Sequence, residues 1–256
     1  MKPHLISAFV LWAALTAIGE LLATLNLFPV VGSKEASDFD QIFRFLMYVG
    51  VPVFTMVITI VVYSFAAFRA KGTPTEDGPA MRGTGMVPRV WLVLTGSLAV
   101  GVMVYPGLWG LAQLQRDKGG YGWGETSSDL TLKVTAFQWN WSIEYPEQGI
   151  TVTPAGGQEL VLPVDHTIRF EGTALDVIHS MWIPAFRMRI DVLPGKTTHM
   201  EVTPTKLGDF ANDEAYRLQC SQLCGLDHAK MKFPVKVVTD QEFQDWVAAQ
   251  KAKSGK

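Results

Sequence analysis

Apolar positions crowd together in the first half of this 256-residue chain and alternate with polar ones in the second. Three segments, residues 5–31, 42–68 and 90–114, are apolar almost throughout. Each is longer than the roughly 20 residues that a helix rising about 1.5 Å per residue needs to cross about 30 Å of hydrocarbon, so the pattern predicts membrane-spanning helices. From residue 117 onward the period drops to two, in Leu130-Thr-Leu-Lys-Val-Thr-Ala-Phe137, Leu160-Val-Leu-Pro-Val164, Ile168-Arg-Phe170, Met200-Glu-Val202 and Met231-Lys-Phe-Pro-Val-Lys-Val237. These runs, separated by turns such as Pro154-Ala-Gly-Gly157 and Pro194-Gly195, predict an antiparallel β-sandwich or barrel. A closing helix is predicted over residues 240–251, with Asp240 as N-cap and Phe243 and Trp246 on one face, ahead of a frayed tail over residues 251–256.

The connections give an orientation, because Lys and Arg accumulate in short cytoplasmic loops. Residues 69–89 carry Arg69, Lys71, Arg82 and Arg89, whereas residues 32–41 carry Lys34 alone beside Glu35, Asp38 and Asp40. The Arg-rich loop is therefore expected inside and everything after residue 114 outside. The first segment has a second reading as a secretory signal, with Lys2, an apolar run and Ala17-Ile18-Gly19 as a small-x-small cleavage site. Its apolar character continues through Leu21, Leu22, Leu25, Leu27, Phe28, Val30 and Val31, and that length favours a retained helix. Glu20 then falls near mid-membrane, where a neutral carboxyl hydrogen-bonded to a neighbouring helix is expected.

Composition sharpens this picture. The chain is 48% hydrophobic and only 18% charged, against the quarter or so usual for soluble domains, which excludes disorder and calls for a lipid bilayer. A net charge of −2 excludes a general nucleic-acid binder. Residues 117–256 hold 14 Lys and Arg against 18 Asp and Glu, so a docking partner of this part is expected to be basic. Two cysteines are too few for a disulfide framework or an iron–sulfur protein and must act as one pair.

That pair lies in Cys220-Ser-Gln-Leu-Cys224-Gly-Leu-Asp-His228-Ala-Lys-Met231, between two strand-like runs. Two sulfurs, an imidazole and a thioether on one loop make a donor set that suits copper. A mononuclear copper loop would supply a single Cys; two let both sulfurs bridge two metals, each taking one terminal His. The upstream imidazole is available as His179, in Val177-Ile-His-Ser180. A disulfide or a zinc site on two Cys and two His are the competing readings, and neither uses the thioether of Met231. His4, His166 and His199 lack such company and read as surface or loop histidines.

At these residues the chain resembles subunit II of the haem–copper terminal oxidases. The resemblance runs from about Phe43 to Trp246 and includes a helical hairpin, the aromatic run Phe137-Gln-Trp139-Asn-Trp141-Ser-Ile-Glu-Tyr145, Asp176-Val-Ile-His179-Ser180, Asp191-Val-Leu-Pro-Gly195 and the cysteine loop. It implies N-terminal transmembrane α-helices followed by an all-β cupredoxin-like Greek-key sandwich. The plan is an extra N-terminal helix or signal peptide over residues 1–31, a transmembrane hairpin over 42–116 and a periplasmic cupredoxin domain over 117–256. It further implies a dinuclear copper A centre whose two copper ions are held by His179, Cys220, Cys224, His228, Met231 and the backbone carbonyl of Gln222, with Trp139 as the point where electrons enter. The implied partners are subunit I and other oxidase subunits, the lipid bilayer, and cytochrome c or another small donor, steered by Glu144, Glu147 and Asp176. The place implied is a bacterial cell membrane, spanned several times, with the C-terminal domain on the periplasmic or extracellular side. The function implied is transfer of single electrons to haem in subunit I, where dioxygen is reduced and protons are translocated. A copper A subunit of a nitric oxide reductase and a membrane-anchored copper chaperone are the alternatives.

Departures from the family pattern carry their own expectations. Gln222 stands where most members have a Glu that helps bind magnesium, which puts a magnesium site at the subunit I boundary in doubt. Pro88 occupies the place of a Glu near a proton path, for which Glu76 is a weak substitute, and Asn140 replaces a common Tyr. The chain has no Cys-x-x-Cys-His, so no c-type haem is fused to it.

Overall fold

The computed structural model describes residues 2–69, 72–73, 83–112, 128–154 and 157–254. Lys71, Glu76, Arg82, the middle of the expected turn at residues 154–157 and the linker at 113–127 lie outside them. The chain divides into two compact units: Met1–Leu27 with Gln41–Gly110, and Phe28–Asp40 with Leu111–Lys256.

The first unit is helical, and among the described residues three helices are long and apolar enough to cross a membrane. Helix α1 spans Lys2–Ala23, α2 spans Lys34–Ala67 and α3 spans Met86–Val102. A π-helical turn at Met103–Leu108 follows α3, with Tyr105 in an extended conformation ahead of Pro106. Large side chains such as Phe9, Phe54, Phe65, Trp91 and Leu94 are exposed, as expected of surfaces that face lipid. Polar contacts instead line the seam between α1 and α2. The Trp12 indole N–H donates to the Pro52 carbonyl at 2.9 Å, the Thr16 and Thr55 hydroxyls meet at 2.7 Å, and His4 reaches the Tyr63 hydroxyl at 3.0 Å. Gly19 lets the two backbones approach: a Cβ there would stand 2.7 Å from Val51 Cγ1.

Two helix limits differ from the hydropathy pattern. Helix α1 ends at Ala23 instead of running to residue 31: the N–H groups of Thr24 and Leu25 bond the Leu21 and Leu22 carbonyls in a tightened last turn, and the Thr24 hydroxyl also donates to Leu21. Helix α2 begins at Lys34, eight residues before its apolar run, where the Ser33 hydroxyl accepts from the Ala36 N–H at 3.1 Å and Glu35 sits in the first turn.

The second unit is a sandwich of two sheets. The first, in the order β3-β2-β1-β5-β8, contains β1 (Leu130–Phe137), β2 (Asn140–Tyr145), β3 (Ile150–Val152), β5 (Ile168–Ala174) and β8 (Thr198–Val202). The second, in the order β4-β11-β10-β6-β7, contains β4 (Leu160–Pro163), β6 (His179–Ile183), β7 (Met188–Val192), β10 (Arg217–Cys220) and β11 (Lys232–Val238), and β9 (Gly208–Asp209) pairs with β11. Both sheets are mixed, where the sequence pattern suggested an antiparallel arrangement: β1 runs parallel to β5 and β4 parallel to β11. The chain crosses to the other sheet at β4 and returns at β5, so β5 re-enters alongside β1 in the same direction. Alternation fills the interior, with Leu130, Leu132, Val134 and Ala136 of β1 facing Trp141, Ile143 and Tyr145 of β2 and Ile168 and Phe170 of β5 in one core. Gly172 of β5 is required where the sheets approach, since a Cβ there would lie 2.3 Å from Val192 Cγ1.

Helix α4 (Asp240–Ser254) closes this unit. Its N-cap is Thr239 and not Asp240: the Thr239 hydroxyl accepts from the Glu242 N–H at 3.4 Å while Glu242 accepts from the Thr239 N–H at 2.9 Å, a reciprocal capping box. The Asp240 carboxylate lies 2.7 Å from His166 Nε2 instead. The helix continues through Ser254, into the stretch expected to fray, and Phe243 and Trp246 stack near Tyr145 as their spacing suggested.

Residues 28–40 belong to the sandwich. The Gly32 N–H donates to the Ala185 carbonyl at 2.8 Å, and its own carbonyl accepts from Thr205 N–H at 2.9 Å. The Glu35 carboxylate takes the Thr203 N–H at 3.0 Å. The guanidinium of Arg187, a residue at φ 54, grips Asp40 through two bonds of 2.8 Å and also donates to the carbonyls of Pro29, Val30 and Pro184.

Candidate metal centre

Strands β6 and β10 are antiparallel neighbours, with Met181 opposite Cys220. This pairing sets His179, the first residue of β6, beside Cys220, the last of β10. The chain then leaves the sheet, makes a 3₁₀ turn at His228–Lys230 and returns into β11. Backbone bonds hold the ends of that excursion together: the Cys220 N–H donates to the Met231 carbonyl at 3.0 Å and the Ser221 N–H to the Ser180 carbonyl at 2.9 Å.

The side chains converge in a row. His179 Nδ1 lies 3.8 Å from Cys220 Sγ, which lies 3.7 Å from Cys224 Sγ, which lies 3.5 Å from His228 Nδ1. At one end of the sulfur pair the Gln222 carbonyl is 3.2 Å from Cys220 Sγ; at the other, Met231 Sδ is 3.9 Å from Cys224 Sγ. Every ligand atom expected from sequence is thus in one cluster. Both cysteines are free and buried, and a 3.7 Å separation is far beyond an S–S bond of about 2.05 Å. His179, Cys220 and Cys224 offer ligand atoms within 4.8 Å of one another, so they could hold a metal, and soft sulfur with imidazole suits copper.

Burial, followed by the hydrogen bond and charge of Cys220, pushes the Cys224 thiol up to about 12. A metal that binds the Cys224 sulfur must therefore displace its proton. Beyond the cluster, His179 Nε2 lies 2.9 Å from Asp176 Oδ1. With the Nε2 proton directed at this carboxylate, Nδ1 presents its lone pair toward the sulfurs. Asp176 also accepts from the N–H groups of Gln138 at 2.6 Å and Val177 at 2.7 Å. Partial burial raises its pKa, but the bonds from His179, Gln138 and Val177 outweigh that and hold it below the usual Asp value.

Trp139 is partly buried in the turn between β1 and β2, and its indole N–H donates to the Cys224 carbonyl at 3.3 Å. Trp141 is fully buried, and its own indole N–H donates to the Met231 carbonyl at 3.4 Å. The three carboxylates expected to steer a donor are exposed and differ in their surroundings. Glu144 pairs in register with Lys133, Glu147 lies beyond the far end of β2 from Trp139, and Asp176 is committed to His179. Exposed leucines flank the cluster in sequence: Leu223 and Leu226 on the cysteine loop are 79% and 90% exposed, and Leu175 before His179 is 71% exposed. Sequence reasoning also missed Gln138, whose side-chain amide donates to the Cys224 carbonyl at 2.8 Å. Its polar character in a strand-end turn offered no signal of that bond. The Gln222 side chain is exposed and uncharged, so this chain offers no carboxylate there for a hard cation such as magnesium.

Residues 155–238 match the family model described as "Cytochrome C oxidase subunit II, periplasmic domain". The chain is 30% identical to a cytochrome c oxidase subunit 2 of Synechocystis over 262 residues, covering 88% of this chain and 76% of the relative. It is 26% identical to the cytochrome c oxidase subunit 2 of Cereibacter sphaeroides, covering 86% of this chain and 78% of that one. Among solved structures, the periplasmic domain of cytochrome oxidase subunit II from Bradyrhizobium japonicum is 36% identical, covering 50% of this chain and 97% of that domain with a TM-score of 0.45.

Proposed function

The chain belongs to the cytochrome c oxidase subunit II family, and from that premise we propose that its sandwich domain carries a dinuclear copper A centre through which electrons reach a partner subunit. His179, Cys220, Cys224, His228, Met231 and the Gln222 carbonyl would hold the two copper ions, since their donor atoms converge in one cluster. The bound copper pair supplies reversible one-electron chemistry. The observation that carries the reading is the unbonded sulfur pair at 3.7 Å with an imidazole Nδ1 beyond each sulfur. A disulfide has no use for that spacing, and a four-coordinate zinc site would leave the thioether and the amide carbonyl idle.

The protein's contribution is rigidity and exclusion of water. His179 is fully buried and held by Asp176, Cys220 and Cys224 are buried, and Met231 is 1% exposed, so the donors move little between redox states. Trp139 is partly exposed and its indole N–H is bonded to the Cys224 carbonyl, which suits it to pass electrons inward from cytochrome c or another small donor. The electrons would pass to subunit I, where haem would supply the chemistry for reducing dioxygen, coupled to proton translocation. With neutral Gln222 at the boundary, no step is assigned to magnesium.

The chain is read as crossing a bacterial membrane with its three helices and presenting the sandwich on the periplasmic or extracellular side. Helix α1 is retained, because Trp12, Thr16 and His4 make specific bonds to α2 that a cleaved leader does not need. The deciding experiment is electron paramagnetic resonance of the copper-loaded full chain with a metal count. Two coppers sharing one unpaired electron are expected, and Cys220→Ser should abolish that signal because a hydroxyl cannot bridge as a thiolate does. One copper per chain, or a normal signal in the variant, refutes the assignment. Oxygen against nitric oxide consumption by the purified complex separates the oxidase from a reductase, and binding of Cu(I) alone would indicate a chaperone.

A further inference from the structure

Gln138 stands between the two loops that bring the metal donors together, and it uses its backbone for one and its side chain for the other. Its backbone N–H donates to Asp176 Oδ2 at 2.6 Å, while the other carboxylate oxygen takes the Nε2 side of His179 at 2.9 Å. Its amide Nε2 donates to the Cys224 carbonyl at 2.8 Å, the oxygen that Trp139 Nε1 also reaches at 3.3 Å. That oxygen has two lone pairs and both are used. The next residue, Gly225, has φ +122, and a Cβ on it would lie 3.0 Å from Gln138 Nε2 and 3.1 Å from two atoms of the Trp139 ring. Amide, indole and loop backbone therefore meet at a contact that leaves no space for a side chain.

We propose that Gln138 is a positioning residue: its side-chain amide pins the Cys224 peptide and so fixes the indole of Trp139 against the metal-bearing loop. The shorter bond belongs to Gln138, and the indole, held by the longer one, depends on the carbonyl that Gln138 orients. Because Gln138 itself is exposed, the competing view is that it only touches the electron donor. This inference rests on the reading of Trp139 as the point where electrons enter.

The test uses the assembled complex with Gln138→Met, which keeps side-chain length and the backbone bond to Asp176 but removes the donor. Gly225→Ala is the second variant; it keeps the donor and forces it away from the carbonyl. Both should retain two coppers, lower kcat at saturating donor roughly tenfold with KM near wild type, and speed hydrogen exchange over residues 221–231. Copper loss in Gln138→Met would count against the clamp, which orients a peptide and holds no metal. Wild-type exchange and kcat in both variants, with or without a raised KM, would overturn it. Trp139→Phe keeps the two failures apart: if that variant transfers electrons normally, the reading of Trp139 falls, while the exchange data still decide whether Gln138 pins the loop.

Discussion

Replacing Asp176 with Asn tests how the carboxylate beside His179 tunes the metal centre. Asp176 presents two acceptor oxygens, one to the Gln138 N–H and the other to the His179 ring and the Val177 N–H. An amide of the same shape has one acceptor atom, so Asp176→Asn leaves either the imidazole or the Gln138 N–H facing another donor, and it removes a negative charge in both cases. A hydrogen bond to an ionised partner contributes about 1.5–3 kcal/mol against about 0.5–1.5 kcal/mol for a neutral one. The Asp176 side chain is 30% exposed, so solvent screening keeps the difference near the low end, about 1 kcal/mol. That charge would favour the oxidised state, in which the metal pair would carry one more positive charge. For a one-electron couple the loss should therefore raise the reduction potential by about 40 mV with copper content unchanged. Redox titration of the complex followed through the copper absorbance measures it. A potential that stays put or falls would refute the assigned role of Asp176.

Other consequences are equally open to measurement. Glu242 has its pKa lowered by the N–H and then the hydroxyl of Thr239, so its stabilisation of α4 is present above the ordinary Glu value of about 4.3 and is lost as pH falls through the lower folded value. Glu242→Gln should flatten that acid limb in thermal denaturation followed by circular dichroism, and an unchanged limb would contradict the capping box. Gly172→Ala drives a methyl group to 2.3 Å from Val192 and should destabilise the sandwich by about 1–3 kcal/mol, read as a lower denaturation midpoint. Intact mass of the chain taken from membranes should include residues 2–23, and a mass lacking them would show that α1 is a leader.

The donors of the metal centre were legible because metal chemistry demands particular atoms at short chain spacing, and Cys220, Cys224, His228 and Met231 lie on one loop. His179 was legible only as the imidazole that set lacked; its place depends on β6 pairing with β10, a contact made 41 residues apart. The three apolar helices were visible in length and hydropathy, yet their limits were not. The first turns of α2 carry Lys34, Glu35, Asp38 and Asp40, whose polarity hides a helix from a hydropathy criterion. Period-two alternation located β1, β4, β5, β8 and β11 but missed strands such as β6, buried at four of five positions and so without a polar face. Asp176 read as a surface carboxylate suited to steering a donor, and Gln138 as an ordinary turn residue, because charge and exposure in a sequence do not say which atom a side chain will meet. The mixed direction of the sheets was likewise hidden, since it arises from where the chain changes sheet and not from any residue pattern.

The grip of Arg187 on residues 29–40 bears on where the gene for a water-soluble piece should be cut. A fragment started after α3 would keep the strands but lose Asp40 and the carbonyls of Pro29 and Val30, stranding a guanidinium that is only 8% exposed in the whole chain. Losing those bonds, together with the Gly32 and Glu35 contacts to the sandwich, would lower the stability of the domain. Splicing residues 28–40 ahead of the strands, or exchanging Arg187 for glycine at its positive φ, would remove the liability.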